Sequence, residues 1–345
     1  MDTNDDIAKA AATVTRLAFS IPAGHAFGAG IQLGFADMIA DGTLTSSEIA
    51  TRSGTQPQAT RRLLRTWAAL GLLEEPEPDR FALTVAGRLL RSEGRRSAQV
   101  TARMFTHPLI TDAWRSLDRS IETGRTSFDE TFGTDFFSYI GQQPAVAEMF
   151  HAAMGQGTGR VAPVIAREYD LSRFRHVVDI GGGDGTLVTA LLRQRDTLRG
   201  TVFDTPDGAA STEEMLRDNG LTDRCDVVFG DFFASVPSGG DLYFVKSVLH
   251  DWSDEHCGTV LGNIRRVIPD DGRLLIVETV LPDTVDGSIP PYMYLSDLNM
   301  LVNLGGRERT RAEFDELCRA SGFTVTDVRS GPDMMGFSLI EAVPA

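Results

Sequence analysis

His176-Val177-Val178-Asp179-Ile180-Gly181-Gly182-Gly183-Asp184-Gly185 is the stretch on which the fold turns. A short, mostly apolar run reads as a buried strand, and the glycines read as a tight turn. Leu187, Ala190, Leu191 and Leu192 follow at helical spacing. Working outward, four more apolar runs fit strands: Gly200–Asp204, Cys225–Gly230, Asp241–Val245 and Gly272–Glu278. Strands that alternate with helical stretches predict a mostly parallel sheet covered on both faces. The chain therefore reads as α/β over 171–345, with a Rossmann-like domain there.

Glycines directly after a strand let the backbone approach a ligand closely and adopt φ > 0. Asp204 ends the next strand and is placed to accept from a ribose diol. Both features suit NAD and S-adenosylmethionine alike. Two details separate them. The dinucleotide fingerprint wants a final glycine at position 186, where the chain has Thr186. Gly230-Asp231-Phe232-Phe233 follows the third strand and offers an acceptor for an adenine amino group and a ring to stack on it. Adenosine without pyrophosphate fits this set better, and the reading is S-adenosylmethionine. A NAD-dependent oxidoreductase is the alternative from the glycine turn alone.

Residues 1–100 have a different texture. Thr45 and Glu48 form a capping box, and a helix is predicted from about Pro57 to Leu70. Leu72–Leu83 reads as strand, Pro-rich turn, strand. Helix, turn, helix and hairpin make a winged-helix pattern, which raises a DNA-binding regulator as a second alternative. Charge argues against it. This segment carries 11 basic and 11 acidic groups, and the wing itself is acidic at Glu74, Glu75, Glu77 and Asp79. Such a wing repels phosphate, so the expectation is a packing or dimerisation module. Residues 101–170 read as a helical linker, with Phe136, Phe137, Tyr139, Phe150 and Met154 supplying bulk.

Composition bounds the partners. The 345 residues hold 33 Lys and Arg against 48 Asp and Glu, a net charge of −15 that disfavours nucleic acid. No apolar run spans a membrane, and the acidic start Met1–Asp6 is unlike a secretory leader. Cys225, Cys257 and Cys318 are odd in number and far apart, so no disulfide framework and a cytoplasmic location are expected.

Val245-Lys246-Ser247-Val248-Leu249-His250-Asp251-Trp252-Ser253-Asp254-Glu255-His256-Cys257 carries the chemistry. It runs from the fourth strand into a helix starting near Ser253, which sets His250 beyond a strand's carboxyl end, where open α/β sheets place their sites. A zinc set of His250, His256 and Cys257 is disfavoured, because a helix start and a loop do not put the three on one face. His256 and Cys257 are expected to be partly buried. A neutral histidine near its ordinary pKa of ~6.5 would accept a proton at neutral pH.

This segment resembles the signature of class I S-adenosylmethionine-dependent O-methyltransferases of the plant caffeic-acid type and their bacterial natural-product relatives. Val177–Gly185, Phe203-Asp204-Thr205-Pro206, Gly230–Phe233 and Gly305-Gly306-Arg307-Glu308-Arg309-Thr310 agree in order and spacing. The resemblance covers nearly the whole chain, and in that family the first part serves dimerisation. It implies that His250 is the general base, flanked by Glu278 and Glu308. It implies cofactor contacts from Gly181, Gly183, Asp204, Thr205, Asp231, Phe232, Lys246, Ser247 and Trp252, and acceptor contacts from Asp251, Met154, Met300 and Asn303. Ser247 departs from the large aromatic residue of many plant members, and Thr205 from their leucine. The activity implied is methylation of a hydroxyl on a small aromatic secondary metabolite, yielding S-adenosylhomocysteine, without metal and as a homodimer. N-methylation is the alternative within the class.

Overall fold

Alternate residues along each central strand face opposite ways, and both ways are apolar. Val177, Val202, Phe244, Leu275 and Val277 join one buried cluster with the helices Pro144–Glu168 and Thr186–Gln194. Val178, Phe203, Tyr243, Val245, Leu274 and Ile276 join a second with the helices Asp254–Val267 and Arg311–Ala320. A sheet with two apolar faces must be covered on both.

The structure is a computed structural model that describes residues 3–94 and 97–345. Asp2, Arg95 and Arg96 of the charge balance lie outside the described residues. The chain divides into two compact units, Met1–Thr111 and Asp112–Ala345. The helices of 112–170 thus count with the second unit.

The first unit has three short strands, β1 (Leu44–Thr45), β2 (Leu73–Glu77) and β3 (Arg80–Leu83), ordered β1-β3-β2 and antiparallel. Thr45 caps its helix with the reciprocal Glu48 bond, and Pro57 starts the next, where its missing N–H costs nothing. Trp67 is fully buried among Ile31, Phe35, Leu64 and Phe81, and its Nε1 donates to Ala26 O at 2.8 Å. Of the basic helix residues Arg61, Arg62 and Arg65, Arg61 pairs with the wing's Asp79 at 3.3 Å and Arg65 with its Glu75 at 3.2 Å.

In the second unit the strands are β4 (His176–Ile180), β5 (Arg199–Asp204), β6 (Cys225–Phe229), β7 (Leu242–Lys246), β8 (Arg273–Leu281), β9 (Arg309–Thr310), β10 (Phe323–Ser330) and β11 (Phe337–Pro344). The order is β6-β5-β4-β7-β8-β11-β10, with β9 beside β8. β4 to β8 pair in parallel, while β11 is antiparallel to both β8 and β10. The chain order reverses between β4 and β7, and at that point an open sheet has a crevice beyond its carboxyl ends. The glycine turn leaves β4 there and the His250 segment leaves β7.

β4 to β7 start and end within a residue of the sequence reading, while β8 and the last two strands differ more. β8 does not stop at Glu278 but runs on to Leu281, because Val280 and Leu281 find partners in Arg309 and Thr310. The β10–β11 hairpin was not anticipated from the sequence; β10 is an edge strand whose polar Thr324, Thr326, Asp327 and Arg329 mask its period. Among the described residues no helix is long and apolar enough to cross a membrane.

Candidate active site

The cluster around His250 is assembled by the sheet. Glu278 lies inside β8, fully buried. Arg309 pairs with Val280 on the same strand, so the preceding Glu308 is delivered to Glu278's neighbourhood. His250 reaches both. Its Nδ1–H donates to Glu308 Oε1 at 3.2 Å and stands 3.5 Å from Glu278 Oε2. Asp251 Oδ1 lies 3.4 Å from the other ring nitrogen, Nε2. Glu308 is therefore neither on the surface nor paired with its neighbouring arginines. Arg307 pairs with Asp254 and Glu313 instead.

The strand position of Glu278 has a second consequence. Its Oε1 accepts the N–H groups of Val248 and Leu249, each at 2.9 Å. The fully buried Arg309 grips the same segment by its carbonyls, donating to Leu249 O and Trp252 O at 2.9 Å each and to Asp254 Oδ1. Gly306 runs so close that a methyl there would overlap His250 O, Asp251 C and Trp252 N. The histidine's backbone is thus held by a carboxylate on its donors and a guanidinium on its acceptors. Sequence reading missed Arg309, because an arginine between polar residues carries no sign of burial. It also missed Ser296 and Asp297 on the Pro291–Asn303 helix, which hold Glu308 through its Oε1 (3.1 Å) and backbone N–H (2.8 Å).

The electrostatics correct one expectation. His250 is not near its ordinary pKa. Burial opposes its charge, but Glu278, Glu308 and Asp251 outweigh burial and push it up to about 10. Asp251 rises to about 7, mainly from burial, with Glu278 and Glu308 adding to the shift against the pull of His250. Glu278 is raised as well, again chiefly by burial. A folded pKa above the unfolded ~6.5 means that the pairing stabilises the fold fully below that value and is lost as pH rises toward 10. Glu278→Gln keeps an acceptor for the two backbone N–H groups while removing a charge. The expected result is a pH–rate profile shifted to lower pH, with an unfolding temperature lowered near neutral pH and less so as the pH rises toward 10, read by steady-state kinetics and thermal melts.

The zinc set does not come together. His256 is exposed, not partly buried, and its Nδ1 meets Ser253 Oγ. Cys257 is fully buried and its thiol donates to Leu249 O at 3.1 Å. Ser253 caps the helix as expected. His250, Glu278 and Glu308 do offer three ligand atoms within 4.8 Å of one another, the spacing a metal ion would need.

Around the glycine turn, Gly181, Gly183 and Gly185 all have φ near +55 to +78°, which explains the residue type. Gly183 N–H donates to Asp204 Oδ2 at 2.8 Å, and a methyl on Gly183 would meet nothing within 4 Å. Open space therefore lies in front of the turn, beside a ribose-type acceptor. Asp184 Oδ1 takes the N–H of Thr186 at the helix start. A carboxylate stands where a pyrophosphate would seek donors, which fits adenosine without phosphate. Thr205 donates its N–H to Asp204 Oδ1. Asp231 is exposed and its Oδ1 accepts the Phe233 N–H. Trp252 lies edge-on to Phe232 and Phe233, with centroids 6.3 and 4.8 Å away, and Phe137 stacks on it at 5.5 Å. Lys246 is held beside Ser247, its Nζ donating to Oγ at 3.0 Å. Burial lowers its pKa against the pull of Glu278 and Asp179. Ser247 itself has φ +52°, a strained conformation for a non-glycine residue at the strand end.

Of the residues expected to contact the acceptor, Asp251 stands beside His250 and the other three are spread over two helices. Met300 and Asn303 are buried on Pro291–Asn303, and Asn303 Oδ1 has no hydrogen-bond partner among the described residues. Met154 is exposed on Pro144–Glu168. Phe128, Phe132, Phe136, Phe137, Tyr139 and Phe150 form one connected set of ring contacts in the same unit.

Comparison with known proteins decides the family. Residues 114–324 match the O-methyltransferase domain and 15–93 the O-methyltransferase dimerisation domain. The chain belongs to the O-methyltransferase family. It is 44% identical over 315 residues to O-demethylpuromycin-O-methyltransferase of Streptomyces alboniger, across 91% of this chain and 84% of that one. The solved mitomycin 7-O-methyltransferase superposes with a TM-score of 0.92 at 32% identity, covering 99% of this chain and 100% of that one. An O-methyltransferase from neocarzinostatin biosynthesis, solved with S-adenosylmethionine and 2-hydroxy-5-methyl naphthoic acid, gives 0.79 at 30% identity, covering 93% and 96%. This enzyme is accordingly an S-adenosylmethionine-dependent O-methyltransferase with a Rossmann-like catalytic fold and an N-terminal dimerisation domain.

Proposed function

We propose that this enzyme methylates a phenolic hydroxyl of a small aromatic natural product, with His250 as general base. The observation that carries the reading is the His250 cluster itself: one imidazole, oriented through Nδ1 by two buried carboxylates, at the carboxyl end of the sheet. The cofactor, when bound, supplies a methyl group on a sulfonium and leaves as a neutral thioether. Gly181, Gly183, Asp204 and Thr205 would hold its amino-acid and ribose ends. Asp231, Phe232, Trp252, Lys246 and Ser247 would frame its adenine end. Glu278 and Glu308 fix the Nδ1–H tautomer, leaving Nε2 to take the hydroxyl proton. Asp251, beside Nε2, together with Asn303, Met300 and Met154, would orient the acceptor, and the helices of 112–168 with their aromatic rings would line the cleft.

A screen of phenolic, amino and non-aromatic acceptors with methyl-labelled cofactor, read by mass spectrometry, tests the reading. Label on a phenolic oxygen supports it, and label only on nitrogen would overturn it. The proton chemistry assigned to the cluster also predicts that EDTA leaves the rate unchanged. Loss of activity in EDTA restored by magnesium would assign the cluster to a metal instead.

The homodimer is part of the same proposal. Ile7, Val14, Leu17 and Ile21 are exposed on the first two helices and Phe19 at their junction, and part of that row falls within the matched dimerisation segment. Exposed apolar rows of this kind mark contact surfaces. Light scattering should give twice the chain's 37.5 kDa. The double change Leu17→Asp, Ile21→Asp should give the monomer without loss of helix content.

A further inference from the structure

The long helix Pro144–Glu168 presents a stripe to the glycine turn that the site above does not use. Gly155 lies so close that a methyl would overlap Asp184 Oδ2, and one on Gly159 would touch the Thr186 methyl at 3.9 Å. Residues four apart share a helix face, so His151, one turn before Gly155, lies on that same face. Two glycines in the stripe let the helix approach, and the histidine is what it brings. Ring contacts continue the placement: Trp252 to Phe137, Phe137 to Phe150 at 6.4 Å, and Phe150 to His151 at 5.6 Å. This row runs from the adenine frame to His151.

The charge around His151 is one-sided. Asp184 of the turn, Asp204 at the end of β5 and Asp207 just beyond it all act on the imidazole. Burial nevertheless lowers its pKa, so the ring is held neutral, with one N–H donor and one acceptor nitrogen. The turn that carries Asp184 also carries Gly183, in front of which a methyl would meet nothing within 4 Å. An amino acid bound there presents an ammonium and a carboxylate. The three aspartates suit the ammonium and repel the carboxylate, which needs a donor among them.

Resting on the S-adenosylmethionine reading, we infer that His151 is that donor: its ring N–H binds the cofactor's amino-acid carboxylate from the helix side. Asp204 takes the ribose, and the glycine turn passes beneath.

Calorimetry on the full-length protein tests this with S-adenosylhomocysteine and its analogue lacking the α-carboxylate. The parent should bind the carboxylate-bearing ligand roughly tenfold or more tightly, as one charge-assisted hydrogen bond provides. His151→Ala should bring the two ligands to near parity by weakening only the first. His151→Asn, which keeps an N–H donor, should restore part of the difference. Equal weakening of both ligands would make His151 a packing residue and overturn the assignment, as would no change for either. A parent protein that binds neither ligand would overturn the cofactor reading as well.

Discussion

Replacing His250 with glutamine lowers kcat/KM for an un-ionised phenol by about 10²–10⁴-fold, the usual contribution of a general base. The same variant loses far less on an acidic phenol that is already ionised in the assay. The reason is the proton. An ordinary phenol ionises near pH ~10, and three carboxylates have raised His250 to about the same value. Transfer between groups so matched is close to thermoneutral. At neutral pH the resting imidazole is mostly protonated, so kcat/KM for un-ionised phenols should rise with pH as that proton is lost. The variant should not fall to the uncatalysed rate, because positioning alone contributes up to roughly 7–11 kcal/mol. Kinetics on a graded series of phenols decides the matter. Equal losses across the series would mean that His250 orients the acceptor and takes no proton.

Gly306→Ala is expected to cost about 10²-fold in kcat, the effect of shifting a reacting group by about 1 Å. The added methyl overlaps backbone atoms of three consecutive residues, His250, Asp251 and Trp252. A flexible side chain could swing aside, but this backbone is pinned by Glu278 on its N–H groups and by Arg309 on its carbonyls. Trp252 is displaced along with His250, so binding of S-adenosylhomocysteine should weaken in calorimetry, but by much less than kcat falls, because the glycine turn and Asp204 leave other strands. An alanine variant as fast as the parent would show that segment 305–310 does not set the position of His250.

These two residues differ in how far the sequence announced them. His250 stands in a distinctive run after an apolar strand, and its place at a strand end followed from the pattern. Gly306 carried no local sign, since its need for a bare α-carbon comes from a segment more than 50 residues away. Glu308 looked as much like a surface ion-pair partner as a buried carboxylate, because Arg307 and Arg309 flank it. The pairing of β9 with β8 turned it inward, a contact between segments about 30 residues apart.

By itself the sequence determined what depends on neighbours along the chain. Apolar runs set the parallel strands, glycines set the turn after β4, Thr45, Pro57 and Ser253 set helix starts, and Asp204 closed its strand. Only the tertiary structure decided what depends on surroundings. It buried Arg309, carried β8 past Glu278, and brought three carboxylates around one imidazole. A residue's spacing is local, but its dielectric and its charged neighbours are not, so the proton affinity of His250 could be read only after the chain had folded.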